Sequence, residues 1–591
     1  MKEIDLQKII KLFNNNSYRE VVIEAHKILK KNKNIQLYGN IALSYLHLGK
    51  NHLSKKYLLK IIKIDKNNPN ANHNLGLIFS RLGKINKSIY YYNLSLKNGS
   101  FFFLTLTELC ELLLKKHKIN LANKLIETYK NKIPDDLKLF LQTSLFNLKY
   151  KNKDEFDTQI RNSEKLIDEF KLYNNDKNNT LYELIKKINF IPPSVFSLTF
   201  YLEKPEKTLK KYYKIYDQIS NGLNIPKKQT PSIIKFKKIK IAFASSILRK
   251  HTITKLFKNW IFKLDKNKFD IYIIDLKSEQ DEIYHQIKQY AEEIITTTEN
   301  LDFNINNIRD KNFDYIIYLD NLISREASLL FNFQLAKKQA VTWGHPVTSG
   351  SRYINYFLSS ELMENKFSEK KYTEKLIKLS NLSIYYEEPK IKINQSIKKY
   401  FDDSLINILN LQSLFKFQPY EDKIYAEILN RNKNINLHFI DSDIPFHKNI
   451  FKKRISKFLN DKKLEKNINF LPRCDNNTFY NYIKFSSFII DCLSWSGGNT
   501  HFEALAFNKA IVTCEGKSLK QNHTTGLLKR INQNEMITYN YPDYINKILK
   551  LSESKNYIET CEKSISDNKI NLFYDKECIA SLENALIDNL S

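Results

Sequence analysis

The sequence predicts an α + α/β chain: a helical solenoid at the N-terminus, then two Rossmann-like domains in tandem. Three observations carry this. The tripeptide Leu48-Gly49-Lys50 recurs as Leu82-Gly83-Lys84, 34 residues on. Beyond residue 237, short β-rich runs alternate with helical stretches. That alternation comes in two successive series, and 591 residues are too many for one core.

A period of 34 is that of the tetratricopeptide helix–turn–helix unit. Asn67-Asn68-Pro69 falls at the join between two units, and weaker echoes fall near Asn15, His117-Lys118 and Lys151. We assign residues 1–164 to these repeats. Each unit has an apolar face that only its neighbour covers, so the units stack and leave a groove. That groove is the expected place for a protein or peptide partner; the alternative is a structural spacer or a self-association arm. Residues 165–236 form a helical connector: Pro192-Pro193 breaks a helix, and Pro226 and Pro231 flank an exposed linker.

Residues 237–395 form the first Rossmann-like domain, with strands read from "IKIAFASS", "FDIYIIDL", "EEIITT", "FDYIIYLD" and "QAVTWGHP". Residues 396–591 form the second, from "LINILNL", "INLHFIDSD", "INFLPR", "SSFIIDCLS" and "KAIVTCEG". Ligands of such sheets sit at the C-terminal strand ends. Ser245, Ser246 and His251 collect at those ends in the first domain, as do Gly344, His345, Pro346, Thr348, Ser349 and Gly350. In the second domain Ser413 and Lys416 follow one strand, "CLSWSGGNTHFEAL" another, and "TCEGKSLKQNH" a third. Gly497 and Gly498 stand between a strand and a helix in a chain with only 12 glycines. A glycine turn into a helix N-terminus is an anion site, or else a tight turn with no ligand. With hydroxyls, His and Lys at one edge of both sheets, a phosphorylated ligand fits the cleft.

Composition narrows the classes. Hydrophobic residues at 42% suffice for packed cores, and no run approaches the length of a membrane span. "MKEIDLQKIIKLF" reads as an amphipathic helix, so a cytoplasmic protein is expected. The net charge of +30 is spread along the chain, and basic clusters such as "KPEKTLKKYYK" alternate with acids. These are solvated helix faces, and no nucleic-acid partner is expected. The six cysteines form no CxxC pair, and neither GxGxxG nor GxxxxGK[ST] occurs.

"VTWGHPVTSGSRYINYFLSSELME", "LQSLFKFQP" and "DCLSWSGGNTHFEAL" resemble the protein O-linked N-acetylglucosamine transferase family, its bacterial SPINDLY-like branch in particular. The resemblance covers roughly residues 235–580 and implies a GT-B fold. It also implies inversion at the sugar carbon without a metal or other cofactor. The donor is a nucleotide sugar, UDP-N-acetylglucosamine first among them, and the acceptor is Ser or Thr of a protein. GDP-fucose, a UDP-hexose or an Asn acceptor are alternatives within the class. A non-catalytic, nucleotide-binding repeat scaffold is the alternative outside it. By position, His251 matches a histidine beside the reacting sugar, a candidate base or acceptor-positioning group. Gly344 and Pro346 match the loop facing the sugar. Ser413 and Lys416 lie in the segment whose lysine contacts the diphosphate. Gly498, Asn499 and Thr500 match the phosphate-holding turn, Glu503 an acid on the ribose, and His523 a histidine near the nucleotide. Asn499 departs from the histidine of the animal enzymes.

Overall fold

The computed structural model of the protein describes residues 3–590 apart from 15–16, 31–33, 98–101, 117, 134–136, 139–140, 143–151, 170–194, 223–237, 299 and 443–444. Asn15, His117, Lys151, the Pro192-Pro193 break and the Pro226–Pro231 linker lie outside the described residues. The chain divides into two compact units, Met1–Leu145 and Phe146–Ser591.

The first unit is a run of paired antiparallel helices: α1 Glu3–Asn14, α2 Tyr18–Leu29, α3 Ile35–His47, α4 Asn51–Ile64, α5 Pro69–Arg81, α6 Ile85–Lys97, α7 Phe102–Lys115 and α8 Ile119–Thr128. The Leu-Gly-Lys repeat now has a cause. Gly49 and Gly83 sit just past α3 and α5 at φ of 71° and 68°, a left-handed turn that favours glycine. The next amide then closes the helix: Lys50 N–H reaches Tyr45 O and Lys84 N–H reaches Phe79 O, both at 2.8 Å. This is a Schellman cap. The same closing bond recurs at the echoes, from Ser17 to Leu12 O and from Lys118 to Leu113 O. Between the helices, Val21, Ala25, Leu37, Ile41, Leu58, Ile61, Leu75 and Ile78 form a continuous apolar core.

The helix Lys153–Glu169, which spans the boundary read at residue 164 between repeats and connector, falls wholly in the second unit, where it packs on the helix Pro205–Gly222. Thr208 donates to Glu164 across that contact at 3.0 Å.

The rest of the second unit is built on two parallel sheets. The first contains β1 Ile239–Ser245, β2 Phe269–Asp275, β3 Glu293–Thr296, β4 Tyr315–Tyr318, β5 Lys338–Thr342, β6 Tyr356–Ser360 and β7 Lys375–Leu379. Its order is β3-β2-β1-β4-β5-β6-β7. The second contains β8 Ile406–Ser413, β9 Ile435–Ile440, β10 Ile468–Leu471, β11 Phe488–Ile490, β12 Ile511–Cys514 and β13 Ile537–Thr538, in the order β10-β9-β8-β11-β12-β13. In each sheet the chain builds outward one way and then returns to build the other way. The reversal falls between β1 and β4, and between β8 and β11. A crevice opens at such a switch point because the flanking connections leave on opposite faces. The helix Glu577–Asp588, numbered with the second domain, returns to the first sheet: Ser380 N–H donates to Ser581 Oγ at 3.1 Å, and Tyr356 OH to Asn589 O at 3.1 Å.

Asparagine does much of the local work. Asn34, Asn68, Asn300 and Asn540 cap helices by accepting a first-turn N–H, each worth about 1 kcal/mol. Asn312, Asn321, Asn381, Asn508 and Asn532 hold positive φ where glycine is usual.

Candidate functional site

The site is best built from the second switch point. β11 delivers the buried Asp491 to its end. One oxygen of Asp491 accepts Cys492 N–H and Gly497 N–H, both at 2.9 Å. The other accepts Ser496 Oγ–H at 2.6 Å and Thr513 Oγ1–H at 2.8 Å. A second buried carboxylate, Glu421, accepts Leu493 N–H at 3.1 Å, Ser494 N–H at 3.2 Å and the Ser494 hydroxyl. Ser496 N–H goes to Lys520 O at 2.7 Å. The turn is thus drawn tight around two acids. Past these paired amides, the N–H groups of Gly498, Asn499 and Thr500 open the helix Asn499–Ala506 and donate to no described residue. Such amides, with the helix dipole behind them, are anion donors. The two glycines have different reasons. A side chain at Gly497 would strike the His501 ring at 2.5 Å, whereas one at Gly498 would make only ordinary contact with His523 at 3.9 Å and Trp343 at 4.0 Å.

Lys416 follows β8 across the switch point. Its ammonium lies over Trp495 at 5.2 Å, Phe200 at 5.6 Å and Phe415 at 5.9 Å. Burial lowers it to about 8, and no carboxylate among the described residues pairs with it. Ser413, at the end of β8, is exposed. His523 is buried, its Nδ1 3.3 Å from Ser496 O and its ring 5.4 Å from Trp343. Its Nε2 has no partner among the described residues. Burial lowers the imidazole to about 4, so it is neutral at pH 7.

Glu503 lies one turn into the helix, 5% exposed. Its Oε1 accepts Lys255 Nζ at 2.7 Å, Asn499 Nδ2 at 2.9 Å and Tyr480 OH at 3.1 Å. Asn499 Oδ1 in turn accepts Tyr386 OH at 2.7 Å. Glu503 Oε2 carries no hydrogen bond from a described residue. Lys255 belongs to the helix Thr252–Lys263, which His251 caps, so this ion pair clasps the two halves of the cleft together.

On the first sheet, Gly344 follows β5 because a side chain there would meet Leu319 O at 2.1 Å. Pro346 is buried in the same loop. Thr348 and Ser349 do not face a ligand. Their hydroxyls both bind Glu374, which also accepts Ser349 N–H at 2.7 Å. His345 is buried, its Nε2 2.7 Å from Thr199 Oγ1, its ring 4.7 Å from Phe196 and 5.5 Å from Trp495. Burial, helped by Lys416 and Lys520, lowers it to about 3.

Thr199 and Phe200 reveal a part of the site that sequence reading missed. The strap Phe196–Leu202, read only as connector, lies against the strand ends of both sheets. Phe200 packs 4.4 Å from Trp495 and 5.3 Å from Phe415. Lys520 donates to the carbonyls of Leu202 at 2.9 Å, Phe200 at 3.3 Å and Thr199 at 3.4 Å. Gln418 adds a bond to Phe200 O at 3.1 Å. Lys520→Met leaves the Thr199 and Leu202 carbonyls without this donor, while Phe200 O keeps Gln418, at a cost on the order of 2 kcal/mol. The thermal midpoint should drop by several degrees, read by circular dichroism; an unchanged midpoint removes Lys520 as the strap's clamp.

Among the described residues, no cluster of three His, Cys, Asp or Glu side chains is arranged to hold a metal. No described helix is long and apolar enough to cross a membrane. A surface groove of about 510 Å³ lies among the repeats, lined by Lys55, Leu59, Phe79, Lys87 and Tyr90 among others.

Comparison with known proteins agrees with this architecture. Residues 35–68 match the tetratricopeptide repeat model. A probable UDP-N-acetylglucosamine–peptide N-acetylglucosaminyltransferase SPINDLY of Solanum lycopersicum is 22% identical over 233 residues, which is 38% of this chain and 24% of that protein. The matched stretch thus spans about a quarter of that relative's length. The solved O-GlcNAc transferase of Thermobaculum terrenum, a point mutant, superposes with a TM-score of 0.66 at 15% identity, covering 93% of this chain and 96% of that one. The chain therefore shares the fold of that transferase, with tetratricopeptide repeats followed by a GT-B arrangement of two parallel sheets.

Proposed function

We propose that the protein is an inverting glycosyltransferase that moves a sugar from a UDP-sugar, N-acetylglucosamine in the first place, to Ser or Thr of a protein. The observation that carries this is the donor set at the second switch point: Lys416 and the three amides of Gly498, Asn499 and Thr500, none of which has a carboxylate or other hydrogen-bond acceptor among the described residues. A departing nucleoside diphosphate gathers negative charge, and fixed donors in a dry site stabilise it where it develops. This set supplies that stabilisation without a divalent cation. Glu503, with Oε2 open, would accept from a ribose hydroxyl. His523 fits a hydroxyl or N–H donor of the nucleotide or sugar. With Nδ1–H turned to the Ser496 carbonyl, the neutral ring presents a lone pair at Nε2.

His251 caps its helix through Nδ1, which accepts Ile253 N–H at 3.2 Å. Burial, then Arg249, lowers its pKa, so the ring is neutral. A neutral ring accepting at Nδ1 carries its proton on Nε2. His251 then serves as an orienting N–H donor beside the acceptor. The repeats would bind the protein acceptor.

The test is nucleoside-diphosphate release by purified protein offered UDP-N-acetylglucosamine, UDP-glucose or GDP-fucose with candidate acceptors. Turnover with GDP-fucose alone moves the reading to a fucosyltransferase. Binding without turnover of any donor by folded protein makes it a scaffold.

The reading also fixes a pH dependence. A lysine whose pKa is lowered to about 8 is charged below that pH and neutral above it. The ratio kcat/KM reports the free enzyme. It should fall as pH rises through about 8, with the midpoint displaced in Lys416→Arg. A profile flat to pH 9.5 contradicts a role for the ammonium.

A further inference from the structure

The first switch point holds a carboxylate to which nothing above gives a task. Asp320 follows β4 and is wholly buried. Its Oδ2 accepts Ser246 N–H at 2.9 Å and the Ser246 hydroxyl at 2.5 Å. Ser246 follows β1, on the other side of the crevice, and is partly exposed. Asp320 Oδ1 is buried and accepts no hydrogen bond from any other described residue. A structural staple between two strand ends accounts for Oδ2. It does not account for a carboxylate kept wholly out of water whose Oδ1 no other described residue bonds, which costs stability and makes the Oδ2 that faces the Ser246 hydroxyl more basic. Burial raises the carboxyl to about 6, against the bonds from Ser246, and Glu326 on the following helix adds to the rise. The group is thus ionised at pH 7 yet close to the point of taking a proton, as a general base is. The neighbouring GHPVTSG loop is tied to the same strand end, since Asn321 Nδ2 donates to Val347 O at 2.8 Å.

We propose that Asp320, acting through the Ser246 hydroxyl, receives the proton of the acceptor hydroxyl during transfer. This rests on the glycosyltransferase reading above. The acceptor oxygen bonds to the anomeric carbon as the bond from that carbon to the diphosphate breaks, and the electron pair leaves with the diphosphate. The acceptor proton passes to Ser246 Oγ while the Ser246 proton passes to Asp320 Oδ2. Asp320 then returns its proton to water. Ser246 touches the acceptor; Asp320 stands behind it as a positioning residue and sets the ionisation. His251, whose Nδ1 lone pair is taken up by its own helix, cannot receive the proton without breaking that cap.

The experiment measures UDP release from UDP-N-acetylglucosamine by the full chain with a pool of Ser/Thr peptides, from pH 5 to 8, and UDP affinity by calorimetry. The wild type should show an acid limb in kcat/KM near pH 6. Asp320→Asn should lower the rate about 10²–10⁴-fold and abolish that limb, with UDP affinity unchanged. Ser246→Ala keeps the backbone bond to Asp320 and should lose a similar factor, so it decides the matter if Asp320→Asn does not fold. A folded variant of either kind that keeps the wild-type rate and limb overturns the relay and leaves the glycosyltransferase reading standing. Wild-type protein that binds UDP but turns over no nucleotide sugar overturns that reading and the relay with it.

Discussion

Lys416→Met should lower kcat by about 10²–10³-fold, the usual cost of removing one donor aimed at developing charge, while UDP affinity falls by much less. The ammonium sits among Trp495, Phe200 and Phe415, and no carboxylate among the described residues pairs with it. Methionine keeps the packing of the stem against those rings, so the fold should survive. On the proposed reading the ground-state diphosphate still meets Gly498, Asn499 and Thr500, which the substitution leaves in place. Only as the sugar–oxygen bond breaks does charge build beyond what those amides hold. Single-turnover kinetics with calorimetry for UDP separates the two effects. An unchanged kcat removes Lys416 from the mechanism, and a loss confined to UDP affinity makes it a binding residue alone.

Asp491→Ala should weaken UDP binding more than 100-fold and destabilise the second sheet as well. One carboxylate gathers the amides of Cys492 and Gly497 and the hydroxyls of Ser496 and Thr513. Without it, four buried donors lose their acceptor, each at about 1–3 kcal/mol unless the turn opens to water. An opened turn no longer aims the Gly498, Asn499 and Thr500 amides at one point. Asp491→Asn is the informative contrast. Its carbonyl oxygen still accepts both amides, and the two hydroxyls can rotate to accept from the new NH₂ group. Binding should then fall far less. Equal losses in the two variants would show that charge, not turn geometry, is what Asp491 contributes. Calorimetry with UDP and thermal unfolding read both quantities.

Much of the second unit could be read from the residues. All ten β-rich runs named from the sequence are strands, because buried parallel strands need unbroken apolar stretches. β7 escaped because Lys375 and Lys378 interrupt it, as suits an edge strand that must not pair further. β6 was quoted only as part of a longer motif, and β13 spans just two residues. At the site, the glycine turn and Lys416 stand after strands in the sequence, while Glu503 enters only through the family resemblance. Their partners had no such signal. Asp491 lies within the strand run "SSFIIDCLS" and nothing in the sequence singles out Glu421; only the fold brings them under one turn from 70 residues apart. Lys255 and Phe200 reach the site from distant segments for which no local spacing speaks. Thr348 and Ser349 misled for the same reason, since Glu374 comes from the far side of β6.

The asparagines at positive φ act on the chain before it folds. A glycine in the unfolded state samples more of backbone space than any other residue and loses the most freedom on becoming ordered. Asn312, Asn321, Asn381, Asn508 and Asn532 reach the same left-handed conformation from a narrower starting ensemble. Those turns therefore draw part of their stability from freedom the denatured chain never had, a contribution invisible in any folded-state contact.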